Sequence, residues 1–495
     1  MNYRVVFYVI GLVLQVEGLF LALPLIVSLI YQENSWYFYL LPAIACFVIG
    51  WLLSRRKPTH ETLYPRDGFI TVALSWLVLS AAGAVPFVLT GDIPHYIDAL
   101  FETISGFTTT GSSILTDVEA LSKSGLFWRS FTHWVGGMGV VVFIMALLPM
   151  VGASTMNLMK AESPGPSVER LVPHVKDTAS LLYTIYIGMT AVEIICLLLS
   201  GMSLFESLTL TFGTVGTGGF GVLNSSIGSY STLQQYIIAV FMILSGINYS
   251  CYFLLFSKKI KDALKMQEVH WYLGIIAISV IAITINIRSI APNLPTAFRD
   301  ALFQVGSIIT TTGYSTADFG KWPAFSQTIL VILMFIGACA GSTGGGIKVS
   351  RIMILGKTIR KELATIVHPR VIKKIRMDDH IIAHETTRST NVYIAVYSII
   401  LFLSVLLISV DEFDFTTNFT AVVATLNNIG PGLNMIGPAG NFSQFSYFSK
   451  IILMFDMLAG RLELFPMLVL FAPSCWARPV KLSFRVKNLL PWRRG

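Results

Sequence analysis

Four short polar turns, each preceded by a short apolar segment, constrain the fold of this chain more than any other feature. The turns are Thr108-Thr109-Thr110-Gly111, the glycine-rich run 214–219, Thr310-Thr311-Thr312-Gly313 and Asn427-Asn428-Ile429-Gly430. Each preceding segment has about a dozen residues, which is too short to span a bilayer and suits a re-entrant half-helix. The predicted half-helices are Tyr96–Phe107 and residues 203–213, 296–309 and 416–426.

The composition places these segments in a membrane. Hydrophobic residues make up 54% of the chain and charged residues only 13%, which is typical of an integral membrane protein with many spans and excludes a soluble fold. The first apolar run is longer than a signal-peptide core, so it is predicted to be a retained span. The cysteines show no paired spacing and are predicted to be small core residues rather than disulfide or metal ligands. They are Cys46, Cys196, Cys251, Cys339 and Cys475.

Each half-helix lies between two segments long enough to span the bilayer. Two further spans, residues 5–30 and 36–53, come first and have no half-helix between them. We therefore predict an all-α integral membrane protein with about ten spans, in which four pseudo-repeated span, half-helix, turn and span units surround a central pore. The predicted segments are 1–66 for the N-terminal span pair, 67–176 for repeat 1, 177–269 for repeat 2, 270–388 for repeat 3 with a cytoplasmic connection, and 389–495 for repeat 4 with a basic tail.

The distribution of Lys and Arg predicts the orientation. Residues 202–230 and 411–449, within the second and fourth repeats, contain neither residue type, whereas 258–265, 348–388 and 478–494 are rich in them. The positive-inside rule then places both termini in the cytoplasm and the four turns on the outer side. The net charge of +8 is accounted for by topology and by anionic lipid, and it gives no reason to expect a nucleic-acid partner.

The turns are predicted to form a cation filter. Backbone outside a helix is tolerated at membrane depth only where it is buried in protein or lines a water-filled path. Threonine favours an extended backbone and glycine permits unusual dihedrals, so such a turn can aim carbonyl oxygens at a cation. One such string would be an ordinary turn, but four in equivalent positions favour a filter. Its candidate residues are Thr109, Thr110, Gly111, Thr217, Gly218, Gly219, Thr311, Thr312, Gly313, Asn428, Ile429 and Gly430, with the filter glycine of repeat 2 assigned to Gly218 or Gly219.

Two other glycine strings require interpretation. Residues 216–221 match the dinucleotide pattern GxGxxG but lie outside any βαβ unit, so a nucleotide site is rejected there. Residues 341–348 interrupt the predicted second span of repeat 3 with small residues, which destabilise a continuous helix. Tight packing between helices is the alternative explanation for this second string.

Arg461 lies near the middle of the predicted span 447–471. A cation at that depth costs about 2.5 to 3.5 kcal/mol on insertion scales, so such residues usually face an aqueous cavity. The alternative is a structural ion pair, for example with Asp456, Glu463 or an acid elsewhere in the chain.

Several motifs together resemble the Trk/Ktr/HKT superfamily of potassium uptake proteins, and within it the bacterial Trk-type membrane subunits. The resemblance covers essentially the whole chain, and the extra N-terminal span pair is similar to the Trk branch. The motifs are residues 107–111, His133-Trp134-Val135-Gly136-Gly137-Met138-Gly139, Thr310–Gly313, Gly341–Lys348, Asn427–Gly432 and Gly460-Arg461-Leu462-Glu463.

This resemblance implies a function and a set of partners. It implies potassium uptake across the bacterial cytoplasmic (inner) membrane, with K⁺ held only at the filter residues, no organic cofactor on this chain and no enzymatic activity. Subunits are expected to pair as homodimers, and a cytoplasmic nucleotide-binding regulatory subunit of the TrkA type is expected to carry the nucleotide. Arg461 is expected to point into the conduction path as a barrier. The expected gate beneath the filter comprises Gly341, Ser342, Thr343, Gly344, Gly345, Gly346 and Lys348.

Two questions stay open at this point. A symporter that couples K⁺ to H⁺ or Na⁺ through alternating access is the alternative function, with Glu17, Glu193 and Asp456 as its few intramembrane acids. The basic segment 357–388 either serves orientation and lipid contact alone or also binds the regulator. In the second case, charge reversal at Lys373 and Lys374 is expected to lower regulator affinity.

Overall fold

The computed structural model describes residues 3–56, 65–139, 175–370, 374–378 and 380–476, and α-helices dominate it. The first ten helices are α1 (Tyr3–Phe20), α2 (Ala22–Ile30), α3 (Trp36–Ser54), α4 (Pro65–Thr90), α5 (Tyr96–Phe107), α6 (Lys123–Met138), α7 (Val175–Leu199), α8 (Leu204–Val215), α9 (Thr232–Ser245) and α10 (Tyr249–Phe256). The remaining helices are α11 (Ile260–Ala263), α12 (Gln267–Ile287), α13 (Leu294–Ile309), α14 (Ala324–Ile336), α15 (Val349–Val367), α16 (His384–Ile408), α17 (Phe415–Leu426), α18 (Tyr447–Arg461), α19 (Phe465–Leu470) and α20 (Pro473–Trp476). Strands β1 (Arg376–Met377) and β2 (His380–Ile381) form a small antiparallel ribbon.

Within the described residues, six helical segments are long and apolar enough to cross a membrane. Two of them form the N-terminal pair, and the other four are the first span of each repeat. They are Tyr3–Ile30, Trp36–Ser54, Arg66–Thr90, Ser180–Leu199, Gln267–Ile287 and His384–Asp411. The prediction of an all-α membrane protein is therefore confirmed.

The half-helices α5, α8, α13 and α17 follow the first spans. Their ends lie within two residues of the predicted bounds. In three of them a polar N-cap side chain accepts a hydrogen bond from the backbone N–H three residues later, at Ser203, Asn293 and Asp414. Such caps stabilise the start of a helix that is too short to rely on its own propensity.

The second spans of repeats 2, 3 and 4 are broken. The interruption in repeat 3 was predicted, at residues 341–348, whereas the breaks in repeats 2 and 4 contradict the predicted continuous spans. Helices α9 and α10 are bent by 91°, α14 and α15 are separated by residues 337–348, and α18 and α19 by residues 462–464. Helix α14 ends at Gly337, whose φ of +72° interrupts the helical backbone, and α18 ends just before Glu463 and Leu464, with φ of +61° and +67°.

Some predicted features lie outside the described residues. They are the end of the first repeat's second span at 140–150, Lys373 and the basic tail 478–494.

The N-terminal pair packs closely on itself and joins the repeats through α4. Helices α1 and α3 cross at Gly11 and Gly50, where a Cβ atom on Gly11 would lie 2.7 Å from the Gly50 carbonyl oxygen. Small residues allow such close approach between helices in membranes.

Repeats 1 and 4 meet through an ion pair of 2.6 Å between Asp98 of α5 and Lys450 of α18.

Candidate functional site

All four turns share one backbone conformation. In repeat 2 the equivalent four-residue turn is 216–219. The second residue of each turn has φ between +54° and +59°, at Thr109, Thr217, Thr311 and Asn428. The fourth residue has φ between +80° and +98°, at Gly111, Gly219, Gly313 and Gly430. Gly219 is therefore the equivalent of the other three glycines, which decides between the two residues left open in repeat 2.

The same hydrogen bond joins each turn to its half-helix. The N–H of the third turn residue donates to the carbonyl oxygen five residues earlier, at 2.8 to 2.9 Å in all four repeats. The N–H of the second residue donates to the carbonyl oxygen three residues earlier. These bonds satisfy carbonyl groups that the end of a helix leaves unpaired, and they hold the turn over the C-terminal end of the half-helix.

The expectation that the turn threonines keep an extended backbone is wrong at the second position. Thr109, Thr217 and Thr311 are in the left-handed region, which β-branched residues rarely occupy and which costs about 1–3 kcal/mol per residue. All three are completely buried. Surrounding contacts must hold this conformation, because the local preference of threonine opposes it.

The turns close into a ring in the order of the chain. A Cβ atom on Gly111 would overlap the carbonyl oxygen of Gly218, the residue that precedes the equivalent glycine in repeat 2. The same relationship joins repeat 2 to repeat 3, and repeat 3 to repeat 4. A Cβ atom on Gly430 would in turn lie 2.8 Å from the Thr110 carbonyl oxygen, which joins repeat 4 back to repeat 1. Each turn thus packs against the next, and only glycine fits at the four contacts.

Side-chain hydrogen bonds strengthen the junction between repeats 4 and 1. The Asn428 amide nitrogen donates to the Thr110 hydroxyl at 2.9 Å and to the Met457 carbonyl oxygen at 2.9 Å. The Ser112 hydroxyl donates to the Gly430 carbonyl oxygen at 3.2 Å. The asparagine that replaces threonine in repeat 4 therefore links two turns.

His133 of α6 lies next to the turn of repeat 2 and links it to the half-helix of repeat 1. Its Nδ1 lies 2.7 Å from the Gly106 carbonyl oxygen, and its Nε2 lies 3.2 Å from the backbone nitrogen of Phe220. A carbonyl can only accept and an N–H can only donate, so the ring must be neutral with its proton on Nδ1. The imidazole also fills the space against Gly218. His133 therefore fixes the turn of repeat 2 against the half-helix of repeat 1, a role that its motif alone did not predict.

A buried ion pair fixes the segments that leave the first two turns. The Arg129 guanidinium donates to the Glu102 carboxylate at 2.6 Å and to the Gly221 carbonyl oxygen at 2.9 Å. Glu102 also accepts hydrogen bonds from the Ser113 hydroxyl at 2.9 Å and the Ile114 N–H at 3.0 Å. The sequence analysis did not single out this ion pair. An acidic residue, Glu102, inside the otherwise apolar half-helix Tyr96–Phe107 was the signal that could have indicated it.

The loop 337–348 packs directly against the turns. The Gly345 N–H donates to the Thr311 hydroxyl at 2.6 Å. A Cβ atom on Gly344 would lie 2.8 Å from the Thr310 carbonyl oxygen, and one on Gly345 would overlap the Asn427 carbonyl oxygen. The small residues of the loop thus allow it to contact the turns of repeats 3 and 4.

Arg461, the last residue of α18, joins this loop to repeat 1. It donates to the Thr343 carbonyl oxygen at 2.8 Å and to the carbonyl oxygens of Gly136 and Gly137, the latter at 2.7 Å. Its charge also lies at the C-terminal end of a helix, which favours a cation. The two carboxylates considered as partners make other contacts, Glu463 with Arg351 and Asp456 with Ser404 at 2.8 Å.

One carboxylate joins the loop to the start of α15. Glu268 of α12 is almost completely buried, and its Oε1 accepts a hydrogen bond of 2.7 Å from the Ala340 N–H and one of 3.1 Å from the Ser350 N–H. Within the loop, the Lys348 ammonium donates to the Gly344 carbonyl oxygen. The sequence analysis missed Glu268, because an acid at the start of a span resembles an ordinary interfacial residue.

Comparison with known proteins identifies the family. The family model TrkH, described as a cation transport protein, matches residues 40–477. The chain belongs to the TrkH family. The TrkH-family relatives include the Trk system potassium uptake protein TrkH of Escherichia coli K12, which is 35% identical over 96% of this chain and 100% of its own length. TrkG of the same strain is 31% identical over 96% of this chain and 98% of its own length.

A solved structure of the TrkH family has the same fold. The crystal structure of the potassium transporter TrkH from Vibrio parahaemolyticus matches with a TM-score of 0.86 at 31% identity. The match covers 96% of this chain and all of that one.

The intramembrane acids of this TrkH-family chain lie on separate elements. Glu17 is on α1, Glu193 on α7 and Asp456 on α18, and all three are completely buried.

Exposed acids precede the half-helices or follow the turns. Asp414 caps α17, and hydrogen bonds led by that from the Thr417 hydroxyl lower the pKa of its carboxyl. The Asn224 side-chain amide, the leading cause, lowers the pKa of the exposed Asp117 carboxyl. Both groups are therefore negatively charged at neutral pH.

Proposed function

We propose that this chain carries K⁺ into the cell through the ring formed by its four turns. The observation that supports this proposal is the closed ring, in which each turn glycine packs against the carbonyl group that precedes the next glycine. Backbone carbonyl oxygens in such a ring can replace the hydration shell of K⁺. The relatives in Escherichia coli are named potassium uptake proteins, and their similarity extends over the whole chain.

The candidate filter comprises the second, third and fourth residues of each turn. Its glycines are Gly111, Gly219, Gly313 and Gly430. The C-terminal ends of the four half-helices approach the ring, and their partial negative charge favours a cation.

The loop 341–348 is proposed to be the gate. Its contact with the Thr311 hydroxyl and the three bonds made by Arg461 support a closed conformation beneath the filter. Arg461 would then act in two ways, by placing a positive charge in the path and by holding the loop. Movement of the loop away from the turns would open the path.

The distribution of basic residues supports an inner-membrane location with both termini in the cytoplasm. We further propose a homodimer and control by a cytoplasmic nucleotide-binding subunit of the TrkA type, as the resemblance to the Trk-type membrane subunits implies. The names of the relatives refer to a Trk system, which fits a protein that works with other components. The segment that follows the gate through α15 would be the route by which that subunit moves the loop. K⁺ is the transported ion, and any nucleotide belongs to the regulator.

Flux into liposomes tests the proposal. Purified chain is reconstituted with K⁺ inside, and reversal potentials are measured against external K⁺ or Na⁺. A channel-like path gives reversal potentials set by the K⁺ and Na⁺ gradients alone. A shift of the reversal potential with an imposed proton gradient would favour a proton-coupled symporter instead, and K⁺ transport that requires Na⁺ would favour a sodium-coupled one. Equal permeability of K⁺ and Na⁺ in a folded protein would contradict a potassium-selective ring.

A further inference from the structure

A groove of about 550 Å³ lies beside α15, at the start of α16. Its lining includes Thr358 and Lys361 of α15, Lys374, and Arg388 and Val392 of α16. The ribbon of β1 and β2 borders it and is tied down by Lys357, whose ammonium donates to the Arg376 carbonyl oxygen at 2.7 Å and to Gln267 at 2.8 Å. The groove is therefore built by three anchored segments of the chain.

The charge of the groove is positive and poorly compensated. Lys361, Lys374 and Arg388 face one carboxylate, that of Glu362. The Lys361 and Glu362 side chains are exposed and 3.6 Å apart, and such a surface pair contributes little. Among the residues described for this region, Lys374 and Arg388 form no ion pair. The lining can therefore accept an anionic group.

The groove continues into an apolar surface along α16. Val392 lies one helical turn after Arg388, and Ile399, Leu403 and Leu406 follow on the same face of the helix. All four of these apolar side chains are exposed, by 43% to 67%. A positive site at one end of an exposed apolar stripe matches a molecule with an anionic head and an apolar chain.

We propose that this groove binds the headgroup of an anionic phospholipid, with the acyl chain along the exposed face of α16. The groove lies at the N-terminal end of α16, the end remote from the half-helix α17. The proposed orientation places this end of α16 at the cytoplasmic leaflet. That leaflet carries the anionic lipids that basic pockets between membrane helices bind. An acidic protein surface would fit the charge but would not use the apolar stripe.

Native mass spectrometry of the full chain tests this site. The chain in detergent is titrated with phosphatidylglycerol, phosphatidylcholine or inorganic phosphate. We expect the chain to bind phosphatidylglycerol in preference to phosphatidylcholine. The affinity for phosphatidylglycerol should fall by about fivefold for each charge removed, and so by about 25-fold for Lys374→Gln with Arg388→Gln. The matched control, Lys261→Gln with Lys265→Gln, removes two exposed charges from the preceding inter-repeat connection and should leave binding unchanged.

Charge-preserving exchange provides the second control. Lys374→Arg with Arg388→Lys should retain phosphatidylglycerol, and ion flux through each variant shows that it is folded. Equal loss in both Gln pairs would assign the effect to general surface charge and overturn the proposal. Displacement of the lipid by inorganic phosphate would also overturn the proposal. So would a groove variant that still binds phosphatidylglycerol but no longer binds an acidic regulatory protein. Lipid binding and ion selectivity are measured separately, so the lipid site can be disproved without disproving the proposed potassium-selective ring, and the reverse.

Discussion

Arg461 donates a hydrogen bond of 2.8 Å to the carbonyl oxygen of Thr343, so the end of α18 in repeat 4 holds the middle of a loop that belongs to repeat 3. The same guanidinium reaches two carbonyl groups at the end of α6 in repeat 1. One side chain therefore joins three repeats immediately beneath the ring.

Replacing Arg461 should raise the flux. In Arg461→Gln the positive charge is lost and the loop loses a charged hydrogen-bond donor, each such bond contributing about 1.5–3 kcal/mol. We expect regulator-free K⁺ flux into liposomes to rise by about tenfold or more. Arg461→Lys keeps the charge but loses the planar fork, so its flux should lie between those of the wild type and Arg461→Gln. Flux at or below the wild-type level in a folded Arg461→Gln protein would exclude a barrier here.

Shortening the loop should raise flux without changing selectivity. Removal of residues 342–346 deletes the contact with the Thr311 hydroxyl and leaves the four turn glycines in place. The K⁺ over Na⁺ preference should therefore match that of the wild type while the K⁺ uptake rate increases. If the deletion abolished uptake in a protein shown to be folded, the segment would be a packing element rather than a gate.

Glu268 offers a test of the loop that leaves the four turns unchanged. Glu268→Ala leaves two buried N–H groups unpaired, at a cost of about 1–3 kcal/mol each. We expect a looser loop, faster protease cleavage near Ser350 and a higher regulator-free flux. Glu268→Gln retains an acceptor oxygen and serves as the matched control, with a smaller effect. Identical flux in Glu268→Ala and wild type would show that these two bonds do not restrain the gate.

Substitution of a ring glycine should lower selectivity. A Ser side chain at Gly313 must tolerate φ of +86° and would overlap the Ile429 carbonyl oxygen. Strain of this kind costs about 1–3 kcal/mol, so we expect the K⁺ over Na⁺ preference to fall by about tenfold, with Gly111→Ser behaving alike. The control is Gly201→Ser, where φ is +87° but no atom lies within 4 Å of the added Cβ. Unchanged ion ratios in both ring variants would exclude this filter.

The family and the all-α membrane class were predictable, and both are confirmed. The half-helices were predictable as well, since their short apolar runs and the polar, glycine-containing turns that follow them are local signals. The breaks after α9 and α18 were not predicted, because the apolar runs around them outweigh the few small and polar residues at the breaks, such as Gly246 and Asn248 at the first and Glu463 at the second. The left-handed backbone of Thr109, Thr217 and Thr311 was also beyond sequence reasoning, because packing between repeats imposes a conformation that threonine disfavours.

The roles of the filter and gate residues stay predictions. The structure brings Thr311, Gly345 and Asn427 into contact, although they are widely separated in the sequence. Glu268 and His133 could not be assigned in advance, because their importance depends on backbone groups that only the folded chain places beside them.

The closure of the ring by Gly430 against repeat 1 has a consequence for how such a protein can be altered. One polypeptide supplies all four walls, so a mutation changes a single quadrant, whereas in an assembly of identical subunits every mutation is copied fourfold. Asn428 illustrates this independence, since its side-chain amide donates to the Thr110 hydroxyl, a bond with no equivalent between the other turns in the described part of the chain. If the ring is the proposed filter, ion preference can accordingly be altered by changing one repeat while the other three stay intact.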